Sequence, residues 1–270
     1  DLAAREGWTA RFPKMVRAWD TVGPVLATVV RQTGLPRDCR VVAGIHDSNA
    51  SLLPHLLGRE RPFSVLSTGT WMITLAPGGS LARLDPARDC LAYVDAFGRP
   101  VPAAMVMGGR EFEILAGGER TEPGPEDIAD VVAGGVMALP SFVPGSGPFA
   151  GRRGNWSVDP AGLPAGQRVA AASLYSALVA DTCLALAGAA GPTVVEGSFG
   201  RNRVFLAALA RLTGRPIVAP QDPTGTTEGA ALLASGPEAA PAMPPDPAPV
   251  PPLDIDLSAY AAAWRAEAEA

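Results

Sequence analysis

The segment Val41-Val42-Ala43-Gly44-Ile45-His46-Asp47-Ser48-Asn49 joins a short apolar run to a polar turn that carries a carboxylate. A second segment, Phe63-Ser64-Val65-Leu66-Ser67-Thr68-Gly69-Thr70, repeats this pattern with hydroxyl side chains and a glycine. Short apolar runs bounded by polar turns are typical of buried strands. We interpret the two turns as parts of one site.

Each turn also has a purely structural explanation. An Asp after a strand is often a helix N-cap or a turn residue, and His46 is compatible with an ordinary turn position. Ser67, Thr68, Gly69 and Thr70 are common in hairpin turns. In the functional interpretation, Asp47 orients a substrate hydroxyl. Thr68 to Thr70 bind the phosphates of a nucleotide, because a glycine lets an anion approach the main chain.

A third turn, Gly197-Ser198-Phe199-Gly200-Arg201-Asn202, follows the predicted strand 193–195 and opens a predicted helix at 204–212. Nucleotides bind at such strand-to-helix turns in open α/β sheets, although many of these turns only connect two elements. The turn lacks the GxGxxG spacing, and the chain contains no GxxxxGK[ST] motif. We therefore expect a nucleotide site of a different kind from a Rossmann or P-loop fold.

Hydrophobic periodicity predicts an alternation of strands and helices, and hence an α/β fold. The predicted strands are 41–43, 63–66, 71–75, 90–95, 193–195 and 216–219. The predicted helices are 12–32 with an interruption at Gly23-Pro24, 48–57, 109–115, 167–187, 204–212, 229–234 after a Thr-rich start at 224–228, and 256–270. Residues 117–127 and 145–154 are predicted loops.

The charge and composition of the chain disfavour several functions. The net charge is -5 and Lys and Arg form no basic patch, so nucleic-acid binding is not favoured. Three cysteines without CxxC spacing and only two histidines, His46 and His55, argue against a disulfide framework and a multi-histidine metal centre. A reducing compartment is the simpler interpretation. Residues 169–190 are apolar, but Asp181 lies among them, so they predict a buried helix and not a membrane span.

The ordered motifs resemble the FGGY family of carbohydrate kinases, which belongs to the actin-like ATPase superfamily. Residues 43–50 resemble the segment with the catalytic Asp, and 66–71 resemble the Ser-x-Gly-Thr phosphate turn of its rhamnulokinase and fuculokinase branches. Residues 195–202 resemble the glycine-rich adenosine turn, with Ser198-Phe199 in place of consecutive glycines, and 227–231 resemble the following helix start. The resemblance implies an actin-like (ribonuclease H-like) fold with boundaries at 1–61 (end of the N-terminal lobe), 62–236 (C-terminal lobe) and 237–270 (Pro-rich tail and closing helix).

By this resemblance, the protein transfers a phosphoryl group from ATP, with Mg²⁺, to a hydroxyl of a ketose such as a deoxy-ketose. The catalytic residue would be Asp47, with His46 beside it at the substrate. Nucleotide-binding residues would be Ser67, Thr68, Gly69, Thr70, Gly197, Ser198, Gly200 and Asn202. We expect a cytoplasmic protein with a small-molecule sugar as its partner, and the sequence leaves open whether it forms a homodimer.

The resemblance has one large gap, since the Asp-x-Gly-Thr hairpin that opens the family's N-terminal lobe has no counterpart here. We therefore expect a chain truncated at its N-terminus, and its activity on its own stays open. An alternative is a non-catalytic nucleotide or sugar sensor with the same fold. A hydrolase that uses Ser67, His46 and Asp47 is disfavoured because the sequence has no nucleophile elbow.

Overall fold

The computed structural model of the 270-residue chain describes residues 2–220, 225–238 and 246–270. The strands in these ranges are β1 (Thr21–Pro24), β2 (Arg40–Val42), β3 (Ser64–Thr68), β4 (Met72–Leu75), β5 (Cys90–Val94), β6 (Pro100–Val106), β7 (Ala138–Leu139), β8 (Asn155–Trp156), β9 (Thr193–Gly197) and β10 (Ile217–Val218). The helices are α1 (Leu2–Arg5), α2 (Ala27–Thr33), α3 (Asp47–Gly58), α4 (Gly108–Ala116), α5 (Pro125–Ala133), α6 (Ala165–Leu186), α7 (Arg203–Thr213), α8 (Gly225–Ser235) and α9 (Ser258–Glu269).

A mixed six-stranded sheet with the order β10-β9-β3-β4-β6-β5 forms the centre of the described structure. Strands β10, β9 and β3 are parallel, whereas β4, β6 and β5 continue the sheet as antiparallel neighbours. Because β3 and β9 run in the same direction, their carboxyl ends meet at one edge, with Thr68 opposite Gly197. The two turns that the sequence singled out therefore leave the sheet side by side.

The two faces of the sheet bury different helices, as the alternation of side chains along a strand requires. Leu66 of β3 belongs to the larger core around α6, while its neighbour Val65 packs in the smaller core with Leu52 of α3. Of the helices in the described ranges, α6 alone has the length and apolar composition of a membrane span, and 78% of its apolar window is buried inside the structure. It is the buried helix that the sequence predicted.

The closing segment belongs to the same core. The predicted tail forms no helix or strand in its described residues, and the Val250 N–H donates to the carbonyl of Ile217 at 2.8 Å. Trp264 of α9 is fully buried, and its indole N–H donates to the carbonyl of Ala138 at 2.7 Å. The predicted helix 256–270 is thus confirmed by α9. Residue 224 and residues 239–245 of the tail lie outside the described ranges.

The prediction of a helix over 12–32 is wrong for its first half. Residues 12–20 form no regular element, and Thr21–Pro24 is a strand that pairs antiparallel with β2. Gly23 and Pro24 both disfavour a helix interior, and pairing with β2 gives the backbone another way to satisfy its hydrogen bonds. The structure also adds β6 and α5, and α5 begins at Pro125, inside the predicted loop 117–127.

Pro54 lies in the interior of α3, where a proline has no N–H to offer the carbonyl of Ala50. Helix α8 crosses α3 at this point. A Cβ added to Gly229 of α8 would lie far inside van der Waals contact of the Ala50 carbonyl oxygen. A glycine at this crossing therefore lets α8 approach α3, the helix that begins with Asp47.

We expect Gly229→Ala to destabilise the protein by about 1–3 kcal/mol, because the methyl group overlaps the Ala50 carbonyl. Helix propensity alone would stabilise the variant by about 1 kcal/mol, so the sign of the change is informative. The measurement is the free energy of unfolding in urea. Gly162→Ala is the control, since a Cβ there meets nothing within 4 Å. A Gly229→Ala variant at least as stable as the wild type would contradict this packing.

Candidate active site

Thr68 joins the turn after β3 to the turn after β9. Its hydroxyl donates to the carbonyl of Glu196 and accepts a hydrogen bond from the Phe199 N–H at 3.0 Å. Gly197 lies opposite with φ of 84°, and a Cβ on it would overlap the carbonyl oxygen of Thr68. The two turns are therefore held as one rigid unit. Since its one proton is used internally, the Thr68 hydroxyl has none to offer a phosphate.

The first turn of α4 completes this unit from the other side. A Cβ on Gly109 would overlap the carbonyl oxygen of Gly69, so the helix can approach the turn only with glycine there. The Arg110 N–H donates to the carbonyl of Thr70 at 3.4 Å. The Gly69-Thr70 turn is thus enclosed between β9 and α4.

A buried carboxylate fixes the position of α4. Glu111 is almost fully buried, and one of its oxygens accepts from the N–H groups of Phe142 and Val143 at 2.8 and 3.0 Å. That oxygen also accepts from the Ser141 hydroxyl at 3.0 Å, while the other accepts from the Tyr175 hydroxyl at 2.7 Å. Burial and the Glu111 charge raise the pKa of Tyr175 well above its ordinary value. The two N–H groups and the Tyr175 hydroxyl compensate the cost of burying the charge, while the single Ser141 proton is shared with the Val143 carbonyl at 2.8 Å.

Asp47 is the first residue of α3, and His46 occupies the cap position without a side-chain hydrogen bond to the helix. One Asp47 oxygen accepts from the Ser48 N–H at 2.7 Å and lies 3.0 Å from Nδ1 of His46. The Asp47 side chain is 74% exposed and that of His46 60%. A carboxylate at a helix N-terminus is favoured by the helix dipole. Asp47 is therefore anchored at one oxygen and open to a substrate.

Two cavities meet at Gly69 and Thr70. The first, of about 570 Å³, is lined by His46, Asp47, Ser48, Ser67, Thr68, Gly69, Thr70, Trp71, Ile73, Tyr93, Met105 and Thr226. The second, of about 440 Å³, is lined by Gly69, Thr70, Gly109, Arg110, Phe112, Glu113, Arg120, Ser198, Phe199 and Asn202. The structure thus brings the Asp47 turn and the Ser67 to Thr70 turn together, and places the Ser198 turn beyond them.

Three predicted site residues have structural tasks in this arrangement. Gly197 and Gly200 do not line either cavity and instead shape the turn after β9. Asn202 caps α7, because its side-chain oxygen accepts from the Phe205 N–H at 2.9 Å. Its amide nitrogen donates to the Ser173 hydroxyl of α6 at 3.0 Å. Asn202 therefore orients the turn while one edge of it faces the second cavity.

Sequence reasoning missed several cavity residues. Tyr93 of β5 lies in the first cavity, where burial and then the charges of Asp47 and Asp89 raise the pKa of its phenol. Arg110 and Phe112 of α4 and the loop residue Arg120 reach the second cavity. Gly108 and Gly109, at the start of α4, were the available signal that this helix lies at the site. Nothing in the local sequence marks Tyr93 or Arg120.

The residues that line the two cavities leave room for a nucleoside triphosphate with a magnesium ion. A Cβ on Gly69 would meet nothing within 4 Å, so this glycine leaves open space at the junction of the cavities. In the described ranges, no group of three or more His, Cys, Asp or Glu side chains could hold a metal. Mg²⁺ keeps several waters and is bound largely through substrate phosphates, so it does not require such a group of side chains.

A sequence model of "Carbohydrate kinase FGGY, C-terminal domain" matches residues 60–242. The search of curated proteins finds no match. Among solved structures, a carbohydrate kinase from Novosphingobium aromaticivorans is 40% identical with a TM-score of 0.81, over 99% of this chain and 60% of that one. This chain therefore spans about 60% of the length of that kinase.

More distant structures share the fold. The ligand-bound xylulose kinase from Lactobacillus acidophilus is 16% identical with a TM-score of 0.71, over 97% of this chain and 56% of that one. The Plasmodium falciparum glycerol kinase with ADP is 15% identical with a TM-score of 0.63, over 87% of this chain and 49% of that one. These similarities confirm the predicted α/β fold of the actin-like ATPase type.

We expect Thr68→Val to lower the free energy of unfolding by about 1–3 kcal/mol, because valine has the same shape and leaves the Glu196 carbonyl and Phe199 N–H without their partner. Thr68→Ser keeps the hydroxyl and serves as the matched control, with less than half of that loss. Urea unfolding of both variants is the measurement. Equal losses would show that the methyl group, and not the hydroxyl, stabilises the turns.

Proposed function

The chain belongs to the FGGY family of carbohydrate kinases, and on that basis we propose that it transfers the γ-phosphoryl group of ATP to a hydroxyl of a sugar. The observation that carries the proposal is the shared cavity of Asp47 and the Ser67 to Thr70 turn. A carboxylate beside a phosphate turn has the two groups that phosphoryl transfer requires, a residue for the acceptor hydroxyl and a cradle for the donor.

Asp47 accepts or orients the proton of the acceptor hydroxyl. Its Ser48 contact fixes the carboxylate, and its exposure leaves the second oxygen free for a substrate. Because the transition state of phosphoryl transfer is loose, alignment of the attacking oxygen contributes much of the rate. His46 lies next to the Asp47 carboxylate and contacts the same substrate.

The Ser67 to Thr70 turn holds the β- and γ-phosphates. Gly69 leaves space for them, and Ser67 and Thr70 offer side-chain hydroxyls in the first cavity. Thr68 contributes by fixing the shape of the turn, because its hydroxyl is bonded to the main chain at Glu196 and Phe199. Bound Mg²⁺ would neutralise the charge that builds up on the phosphates.

The second cavity takes the adenosine. Ser198 and Asn202 line it, and Gly197 and Gly200 give the turn its shape. Phe112 and Phe199 form an apolar wall, with their ring centroids 5.4 Å apart in an edge-to-face arrangement. An apolar wall with a few polar groups is typical of a nucleobase site.

We extend the proposal in three respects. The His46-Asp47 pair and the Ser-x-Gly-Thr turn favour the rhamnulokinase and fuculokinase branch, and hence a ketose such as a deoxy-ketose as acceptor. Residues 62–236 form the ATP-binding lobe, with 1–61 as the end of the N-terminal lobe and 237–270 as the tail and closing helix. A cytoplasmic location supplies ATP and free sugar.

We expect Asp47→Asn to reduce kcat by about 10²–10⁴-fold, because the amide cannot accept the proton of the acceptor hydroxyl. The Kd for ATP should stay within about threefold of the wild type, a change of less than about 1 kcal/mol in binding free energy. The measurement is phosphoryl transfer from ATP to a panel of ketoses by the complete natural protein, with ATP binding measured by calorimetry. Asp38→Asn is the control, since Asp38 is exposed and lies outside both cavities.

Turnover within tenfold of the wild type in Asp47→Asn would contradict the role of Asp47 (about 1.4 kcal/mol of barrier). A wild-type protein that binds ATP and a sugar but transfers no phosphoryl group to any ketose of the panel would instead support the sensor alternative.

A further inference from the structure

A chain of four polar side chains lies beside the cleft and connects three elements of the structure. Nε2 of His55 lies 2.7 Å from a carboxylate oxygen of Glu196, and the two side chains are only 3% and 11% exposed. The Arg59 Nε–H donates to Nδ1 of His55 at 2.9 Å. The same guanidinium bonds both carboxylate oxygens of Asp246. None of these residues lines either cavity, so their effect on the site must be indirect.

The direction of these hydrogen bonds fixes the state of His55. Because an arginine N–H can only donate, Nδ1 of His55 must be the acceptor and carries no proton. Nε2 therefore carries the proton and donates it to Glu196. The charge of Arg59 is balanced by Asp246, whose pKa is lowered mainly by its hydrogen bond with Arg59. The imidazole is thus held as one neutral tautomer that points its N–H at Glu196.

Glu196 is the residue on which the elements converge. It directly precedes Gly197, and its carbonyl accepts from Thr68 in the phosphate turn. Its carboxylate bonds His55 and also lies against the first residue of α8, since a Cβ on Gly225 would overlap a carboxylate oxygen. A carboxylate at a helix N-terminus is stabilised by the helix dipole. Glu196 therefore connects the nucleotide turn to α3 and α8 at once.

His55 lies on α3 eight residues after Asp47, which is about two helical turns. At its N-terminus α3 projects Asp47 into the cleft, where the carboxylate is exposed. The His55–Glu196 contact is a buried connection between the helix that carries Asp47 and the end of β9, just before the turn. Removing one partner would leave the other polar group buried and unpaired, which proteins tolerate poorly.

We propose that His55 is a positioning residue, which through its Nε2–H bond to Glu196 holds the Asp47 helix at a fixed distance from the nucleotide turns. This inference rests on the proposed function. A misplacement of about 1 Å can cost about 10²-fold in rate, so the contact affects the chemical step although it touches no substrate. It also affects ATP binding, because Glu196 orients the turn that faces the adenosine.

The test compares His55→Gln with His55→Asn. The glutamine amide nitrogen reaches the place of Nε2 and can still donate to Glu196, whereas the shorter asparagine reaches only the place of Nδ1. Both substitutions are neutral and polar, but the shorter asparagine also leaves a void at this buried site. The double variant with Glu196→Ala described below separates that packing loss from the loss of the contact. We expect His55→Gln to retain kcat and the Kd for ATP within about threefold. We expect His55→Asn to lose about 30-fold in kcat and to raise the Kd for ATP about tenfold (effects of about 1–2 kcal/mol).

The KM for the sugar should stay within about twofold in both variants, because His55 and Glu196 do not reach the first cavity. Thermal midpoints of both variants, and assays well below them, show that folded protein is compared. Glu196→Ala combined with His55→Asn should lose no more than Glu196→Ala alone, since the two residues act through one contact.

The outcomes separate this inference from the proposed function. A wild-type protein that binds no ATP overturns both. A wild-type protein that binds ATP but phosphorylates no sugar overturns the kinase proposal, and the positioning role is then decided by the ATP dissociation constants of the two variants. Equal Kd and kcat values for His55→Gln and His55→Asn, or additive losses with Glu196→Ala, would overturn the positioning role alone.

Discussion

The parallel pairing of β3 with β9, closed by the Thr68 hydroxyl, is the constraint on which the rest of the site depends. Thr68 faces Gly197 across the two strands, and its hydroxyl bonds the main chain on both sides of that glycine, at Glu196 and Phe199. The turn after β3 and the turn after β9 therefore cannot move independently. Glycines at 109 and 197 are required because main chains meet there without room for a side chain. The junction of these turns is thus built mainly from backbone.

The pair of β3 and β9 also determines the position of the Asp47 carboxylate. Glu196 lies in β9, next to Gly197, and bonds His55, which is part of the helix that begins at Asp47. Helix α8 crosses α3 over the Ala50 carbonyl, which Pro54 leaves without its usual donor. Pro54 therefore lies in the part of α3 where α8 packs closely against it. The position of Asp47 relative to the turns after β3 and β9 therefore depends on packing and buried hydrogen bonds at residues outside both cavities.

Much of this could be predicted from the sequence because the signals are local. A short apolar run followed by Ser67 to Thr70, and a strand, a glycine turn and an amphipathic helix around Gly197, specify their structures within about ten residues. The prediction failed where tertiary pairing decides, as in Thr21–Pro24, which becomes a strand only because β2 lies beside it. It also could not foresee that Tyr93 of β5 and Arg120 of a loop reach the cavities, because their positions depend on how the sheet and α4 are arranged. Nor could it show that Thr68 and Asn202 use their side chains inside the protein.

The central claim is that one cleft holds ATP between the turns after β3 and β9, with the end of the triphosphate directed at Asp47. The most direct test is a crystal structure of the protein with Mg²⁺ and a non-hydrolysable ATP analogue. The expected result places the triphosphate at Gly69 and Thr70, the adenosine against Ser198 and Phe199, and the γ-phosphate on the side of Asp47. A nucleotide bound elsewhere, or one whose γ-phosphate is directed away from Asp47, would contradict the claim.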